Sequence, residues 1–334
     1  MRVLEIRPPF GIDSLAFAER PDPAPGPRQI VVQLRALSLN YRDLLVVNGV
    51  DRWRPSVPRI PVSDGVGVVA AVGEGVTRVR VGDRVAPIFY PLWTEGGPAP
   101  EKMDMPFGGA AADGLFAERA LVHESAVVHV PPHLSDEEAA TLPCAGVTAW
   151  NGVIEEGGLR AGDTAVVLGT GGVAIFAFQF ARMSGARVIV TSSSDEKLER
   201  ARALGAAAGI NYRTTPDWPR RVVELTGGGA DLVVDTAGAL PEAISAVRVG
   251  GTVAFIGLLT GTRVEIDLVA LMGKSARVQA IDVGSRAMFE SMNRAVVVGE
   301  MRPVVDRVFG FDEAREAFRY LEGRTHFGKV CVRL

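Results

Sequence analysis

The residues whose spacing most clearly supports chemistry lie between positions 164 and 197. An apolar run, Thr164–Leu168, is followed by Gly169, Thr170, Gly171, Gly172, Val173 and Ala174. Glycines at 169 and 171 with alanine at 174 follow the G-x-G-x-x-A spacing of a strand-to-helix turn that holds a dinucleotide. The first glycine permits the tight turn. The second lets backbone approach a pyrophosphate, and the alanine lets helix pack closely on strand. The free N–H groups at the start of the helix, with its dipole, favour the phosphates. Gly169, Thr170, Gly171, Gly172 and Val173 are therefore expected to bind a nicotinamide dinucleotide. The next strand, Arg187–Thr191, runs into Ser192, Ser193 and Ser194. An NAD site usually places Asp or Glu there for the ribose 2′-hydroxyl. No acid stands at Ser192, so nothing at that point repels a 2′-phosphate. Lys197 follows one helical turn later and can meet that phosphate as a point charge. Ser192, Ser193 and Lys197 thus favour NADPH over NADH. Asp195 reads as the cap of the next helix.

The elements around this motif alternate. Strands are expected at Thr164–Leu168, Arg187–Thr191, Leu232–Asp235, Thr252–Ile256 and Val278–Ile281, with helical stretches between them. One of these, DEKLERARALG, ends at Gly205. Such alternation argues a parallel, doubly wound sheet. Residues 1–126 read differently, as short strands such as Ile30–Leu37, Gly65–Val72 and Arg84–Ile88 between Gly and Pro signals. That spacing favours a β-rich, barrel-like domain. The alternation stops near residue 286, and the last strand, GKVCVRL, returns to β character. The expected division is 1–126 with 286–334 as one domain and 127–285 as the other. Ser135 and Glu138 have the spacing of a capping box at the start of a helix.

Composition closes off several classes. The chain has 334 residues, 47% of them apolar, and a net charge of −3, which gives no footprint for nucleic acid. Two cysteines, Cys144 and Cys331, cannot build a disulfide framework or a four-cysteine zinc lobe. They suit a reducing compartment, and a cytoplasmic location is expected. The N-terminus lacks the apolar core of a signal peptide. The charge-free stretch 164–181 nears the ~18 residues of a membrane span. Its glycines divide it into a strand, a turn and a helix start, so no membrane partner is expected.

Taken in order, the segments SLNYRDLL (38–45), SDGVGVVAAVGEGVTRVRVGDRV (63–85), AATLPCAGVTAWNGV (139–153), LGTGGVAIFAFQFA (168–181), TSSSDEKLERARALGA (191–206), INY (210–212), GGTVAFIG (250–257) and HFGKVCVRL (326–334) resemble the medium-chain dehydrogenase/reductase superfamily. Its zinc-type alcohol dehydrogenase-like and quinone oxidoreductase-like branches are the most similar. The resemblance implies a GroES-like catalytic domain from both chain ends, a central Rossmann domain, and a homodimer. It adds Tyr212, Ile256, Gly257, Val283, Gly328 and Lys329 as cofactor-binding positions and Thr148 as a polar position facing the nicotinamide. Zinc-dependent members hold a catalytic metal with Cys, His and a further Cys or Asp. The matching positions here are Asn40, Ser63 and Cys144, with Asp64 as the neighbouring acid. Asn and Ser are poor zinc ligands, so no metal is expected. Cys144 reads as a small buried apolar residue at a helix start.

Without a Lewis acid, hydride transfer suits an acceptor that is already electrophilic, such as an enone, an alkenal or a quinone. Asn40 is the first candidate to donate to the oxygen that gains charge. Tyr41 is a candidate proton source, and Arg42, Asp43 and Asp64 are candidates for an ion-pair network in the vacated metal position. Loop residues Tyr90, Trp93 and Phe107, with Trp53, are expected to wall the substrate. His326 is the one histidine near a candidate turn. Two other readings stand beside this one: an alcohol dehydrogenase or ketoreductase acting on a carbonyl without zinc, and a nicotinamide-binding protein with vestigial catalysis.

Overall fold

Six runs rich in valine, isoleucine and alanine form a parallel sheet in the computed structural model, which describes residues 1–334. Across the sheet the strands are Ala208–Asn211, Arg187–Ser192, Thr164–Leu168, Ala230–Asp235, Val247–Phe255 and Arg277–Ala280. In chain order this is 3-2-1-4-5-6, the arrangement of dinucleotide-binding folds. Its inner strands are nearly continuous apolar runs because helices cover both faces. Those helices include Gly172–Met183, Asp195–Ala203, Trp218–Thr226 and Leu240–Ala246. Val166, Ile189, Val233 and Val253 from neighbouring strands share one core with Ile244 and Val222 from the helices. The charge-free stretch 164–181 is accordingly a buried strand and the start of a helix. No helix is long and apolar enough to cross a membrane.

The sheet register aligns the strand ends. Leu168 pairs with Thr191 on one side and Asp235 on the other, and Asp235 pairs with Phe255. Residues 192, 169, 236 and 256 therefore follow one another along the C-terminal edge, where such sheets bind ligands.

The second sheet has seven strands. Its main path runs Val305–Gly310, Lys329–Arg333, Gln29–Leu39, Asp64–Val72, Arg84–Pro87 and Val127–His129, and Arg119–His123 also pairs with Gln29–Leu39. A separate hairpin pairs Arg2–Ile6 with Leu15–Glu19. Contacts divide the chain into one unit of Met1–Val147 with Gly284–Leu334 and a second of Thr148–Val283. The change of sequence texture at 126/127 therefore precedes the structural boundary. Val127–His129 pairs with Arg84–Pro87, and the helix Asp136–Ala140 packs on Gln29–Leu39 and Asp64–Val72, so residues 127–147 stay with the first unit. The capping box there is reciprocal: Ser135 N–H donates to Glu138 Oε2 at 2.8 Å, and Glu138 N–H to Ser135 Oγ at 3.2 Å.

Candidate active site

Register also explains why distant polar residues of the first unit meet. Leu39 lies opposite Val330, and Ser38 lies opposite both Cys331 and Asp64. Asn40, immediately after Leu39, and Lys329, immediately before Val330, are thus brought to the same end of the sheet as Ser63 and Asp64. The chain at Asn40 turns into the helix Tyr41–Val47, with Asn40 N–H donating to Asp43 Oδ2 at 2.8 Å.

The result is one hydrogen-bonded chain. The Lys329 ammonium donates to Asn40 Oδ1 at 2.5 Å and to the Leu39 carbonyl at 2.7 Å. Asn40 Nδ2 donates to Ser63 Oγ at 3.4 Å, and Ser63 Oγ donates to Asp64 Oδ1 at 2.7 Å. Cys144 N–H donates to Asp64 Oδ2 at 3.1 Å. Ser63, Asp64 and Asp43 are fully buried, Asn40 nearly so, and Lys329 is only 3% exposed. Arg42 lies alongside, with Nη1 3.3 Å from Asp43 Oδ1, its guanidinium over the Phe89 ring at 4.8 Å, and Nη2 buried without a hydrogen-bond partner. The ion-pair network expected of Arg42, Asp43 and Asp64 is therefore only partly present. Arg42 pairs with Asp43, whereas Asp64 is held by Ser63 and Cys144.

Local backbone departs from regular geometry at this site. Cys144 sits in a π-helical turn, Leu142–Gly146, a form often associated with functional positions. Val62, just before Ser63, has φ +76°. Such a β-branched residue in the left-handed region costs about 1–3 kcal/mol. Cys144, expected to be a buried apolar residue, is half-buried. Its thiol is pushed well above the ordinary value, first by burial and then by the Asp64 carboxylate.

Burial raises Asp64 from 3.8 to about 6, against the pull of the Lys329 charge and the hydrogen bonds from Asn40 and Ser63. Because the folded value exceeds the unfolded one, the native state binds the extra proton between those two values. Stability from this group is full below pH 3.8, falls as pH rises, and levels off above about 6. Relative to Asp64→Asn, the wild type is expected to lose about 2 kcal/mol between pH 4 and pH 7. Paired denaturant titrations at those pH values check this. A difference that does not change with pH would show that Asp64 is not the titrating group.

The cofactor candidates of the second unit fall together along the sheet edge. Gly169 has φ +95°, a conformation that favours glycine, and its N–H donates to the Thr191 carbonyl at 3.0 Å. Gly171 is the N-cap of the helix Gly172–Met183, and no side chain caps the turn. That leaves the N–H groups of Gly172 and Val173 for phosphate. Thr170 is buried beside them. The Ser192 hydroxyl is buried and accepts the Ser194 N–H at 3.2 Å, while Ser193 is half-buried. Tyr212 N–H donates to the Ser192 carbonyl at 3.1 Å, and its ring is exposed. Ser194, not Asp195, caps the next helix by accepting the Lys197 N–H at 3.3 Å, because its hydroxyl precedes the first turn. Asp195 instead accepts from Asn211 Nδ2 at 2.8 Å. Ile256 and Gly257 both donate N–H to the Asp235 carbonyl, at 2.9 and 3.0 Å. The Val283 carbonyl accepts Asn151 Nδ2 at 2.7 Å, and Thr148 is buried in this unit. The strand ends, the glycine turn and the uncapped helix start together fit a dinucleotide.

Other expectations fare differently. Gly328 and Lys329 lie in the first unit, and Lys329 engages Asn40. Tyr41 is exposed, with the Arg324 guanidinium 5.6 Å from its ring centre. Trp93 is core, its indole N–H donating to the Gly96 carbonyl at 2.8 Å. Trp53 and Phe107 pack against the core of the first unit. His326 is half-buried. Lys329 as a cation within the polar cluster escaped the sequence reading, because only sheet register joins it to Asn40.

The donor set does not fit a zinc ion. It offers an amide oxygen already accepting from an ammonium, a hydroxyl, and a thiol whose deprotonation burial opposes. No three His, Cys, Asp or Glu side chains are gathered to hold a metal.

Comparison with known proteins gives the chain its relatives. Residues 26–132 match the model for the alcohol dehydrogenase GroES-like domain, and residues 172–297 match that for zinc-binding dehydrogenases. A zinc-type alcohol dehydrogenase-like protein of Schizosaccharomyces pombe is 40% identical, over 92% of this chain and 91% of its own. A quinone oxidoreductase of Pseudomonas aeruginosa is 30% identical over 96% of both. The solved structure of an NAD-dependent alcohol dehydrogenase superposes with a TM-score of 0.91 at 35% identity, covering all of both chains.

Proposed function

Because this chain belongs to the medium-chain dehydrogenase/reductase superfamily and is a nicotinamide-dependent oxidoreductase, we propose that it reduces an activated double bond or a quinone with NADPH and without zinc. The observation that carries this reading is the Lys329–Asn40 contact. It occupies the amide oxygen with an ammonium and leaves the amide N–H groups as the donors.

The nicotinamide, when bound, supplies a hydride to an electron-poor carbon. Reduction moves an electron pair onto the acceptor's oxygen, and a preorganised N–H there stabilises the charge. Asn40 is that donor. Its orientation is fixed by Lys329 at Oδ1 and by Ser63 at Nδ2. Asp64 holds the Ser63 hydroxyl, and Asp43 fixes the turn at Asn40 by accepting its backbone N–H. Tyr41, exposed to water, provides the proton that completes the product. In the second unit, Gly169 through Val173 would hold the pyrophosphate. Ser192, Ser193 and Lys197 would take a 2′-phosphate, Tyr212 would serve the adenosine end, and Thr148, Ile256, Gly257 and Val283 the nicotinamide.

The test is product identity. With NADPH and a simple α,β-unsaturated aldehyde, the saturated aldehyde is expected, at a higher kcat/KM than with NADH. An allylic alcohol would instead establish carbonyl reduction, the reading that the alcohol dehydrogenase relatives favour. Bound NADPH without turnover of enals, quinones or ketones would favour a vestigial site.

A homodimer is part of the same proposal. The strand Arg277–Ala280 ends the parallel sheet and has a neighbour on one side only. Close by in sequence, the helix Leu268–Lys274 buries no residue and exposes Leu268 by 67%, Val269 by 79% and Met272 by 76%. A free strand edge beside an exposed apolar helix suits a second copy of the chain. Sedimentation is expected to show a dimer that Val269→Glu with Met272→Glu converts to monomer. A monomeric wild type would refute it.

A further inference from the structure

The cluster around Asn40 contains two fully buried carboxylates, Asp43 and Asp64, and a half-buried thiol at Cys144. Lys329 enters it from the start of the strand Lys329–Arg333. It is more completely buried than Arg42, the cluster's other cation. Its ammonium contacts are both within the cluster: Asn40 Oδ1 at 2.5 Å and the Leu39 carbonyl at 2.7 Å. The charge of Lys329 reaches Asp64, Asp43 and Cys144, favouring the ionised form of each. A buried ammonium survives only where acceptors and counter-charges replace its water, and here the cluster supplies both.

We propose that Lys329 is the resident cation of this cluster: its ammonium occupies the position and supplies the field that a divalent metal would otherwise provide among Asn40, Ser63, Asp64 and Cys144. A dication approaching these donors meets the ammonium's repulsion and finds Asn40 Oδ1 already engaged. Lys329 is thus a positioning residue. It orients the Asn40 amide and excludes metal. The inference rests on the zinc-independent part of the function proposed above and not on the choice of acceptor, and its test reads metal binding.

The experiment supplies zinc ligands with and without the ammonium. Asn40→Cys with Ser63→His is compared with the same pair combined with Lys329→Met. Circular dichroism checks folding, mass spectrometry measures zinc content, and chelator competition measures affinity. The variant retaining Lys329 is expected to bind zinc about 100-fold more weakly than the triple variant, a difference set by one nearby charge. Equal affinities, or a folded triple variant that binds no zinc, would overturn the proposal. If the triple variant does not fold, Lys329→Ala provides the second measurement. Added propylammonium is expected to raise its Tm with increasing concentration while leaving the wild type unchanged. Absence of that selective rise would overturn the proposal as well. Failure to reduce enals, with these metal and amine results intact, would remove only the acceptor assignment.

Discussion

Asn40→Ala is expected to lower kcat about 100-fold or more, the usual cost of removing one donor to a developing oxyanion. The substitution also strips the Lys329 ammonium of its 2.5 Å acceptor and frees Ser63 Oγ from one donor. Part of the loss therefore comes from disorder in the groups behind the amide. Asn40→Asp separates the two contributions. It keeps an oxygen for Lys329 but puts an acceptor where the N–H was. If donation to substrate matters, both variants are slow. If holding Lys329 is all that Asn40 does, the aspartate variant keeps its rate. Cofactor affinity is expected to stay constant in both, because the glycine turn belongs to the second unit. Steady-state kinetics with a fluorescence titration of NADPH checks this, and a loss in kcat below about 10-fold for Asn40→Ala would take the donor role away from it.

The second large effect is expected at Gly257. A Cβ built there would lie 1.9 Å from the Thr236 carbonyl oxygen, 2.0 Å from its carbon and 2.6 Å from Ala237 N. All three are backbone atoms, and the backbone around them is tied down. Gly257 N–H donates to the Asp235 carbonyl at 3.0 Å, and the buried Asp235 carboxylate accepts from Ala237 N–H at 2.9 Å and Gly238 N–H at 2.8 Å. Nothing flexible is available to yield. Gly257→Ala is expected to destabilise by about 3 kcal/mol or more, as severe overpacking does, and to abolish NADPH binding at that strand end. Gly273→Ala is the control. It lies in a helix with no atom within 4 Å of the added Cβ, where alanine is expected to gain about 0.5–1 kcal/mol. Denaturant unfolding distinguishes them, and similar stabilities for the two variants would show that the strand ends separate more easily than their hydrogen bonds imply.

These two residues also mark what could be read before the fold was seen. Gly257 ends a run of β-formers, and the nucleotide half of the protein is written in local patterns: strand, glycine turn, helix, strand. Each step needs only neighbours within about 30 residues, as is usual for such units. The serines after the second strand were equally legible. Asp195 was misread because two adjacent residues, Ser194 and Asp195, both suit a cap, and only backbone conformation selects between them. The polar cluster was legible in part. Asn40, Ser63, Asp64 and Cys144 could be named by resemblance, but their hydrogen bonds depend on antiparallel register across long loops. Lys329 lies 289 positions from its acceptor. No local pattern carries that distance, and the resemblance marks Lys329 only as a cofactor-binding position. Trp93, expected to wall the substrate, sits in a glycine- and proline-rich loop that folds back and buries the ring, a placement that no local pattern announces.

The placement of Lys329–Arg333 has a consequence for biosynthesis. This strand lies between the edge strand Val305–Gly310 and Gln29–Leu39, the second position on its sheet's main path. The parallel sheet of the second unit uses strands from residues 164 to 280 only. A ribosome delivers residues in order, so the nucleotide unit can complete its sheet while Gln29–Leu39, made long before, still waits for one of its neighbours. The polar cluster comes into being last, when residue 329 arrives. A chain interrupted shortly before that point would carry a finished dinucleotide fold and no ammonium on Asn40 Oδ1. Its unpaired strand edge would be open to other chains. Quality control of nascent chains therefore matters more for this topology than for one whose buried polar cluster is complete early in synthesis.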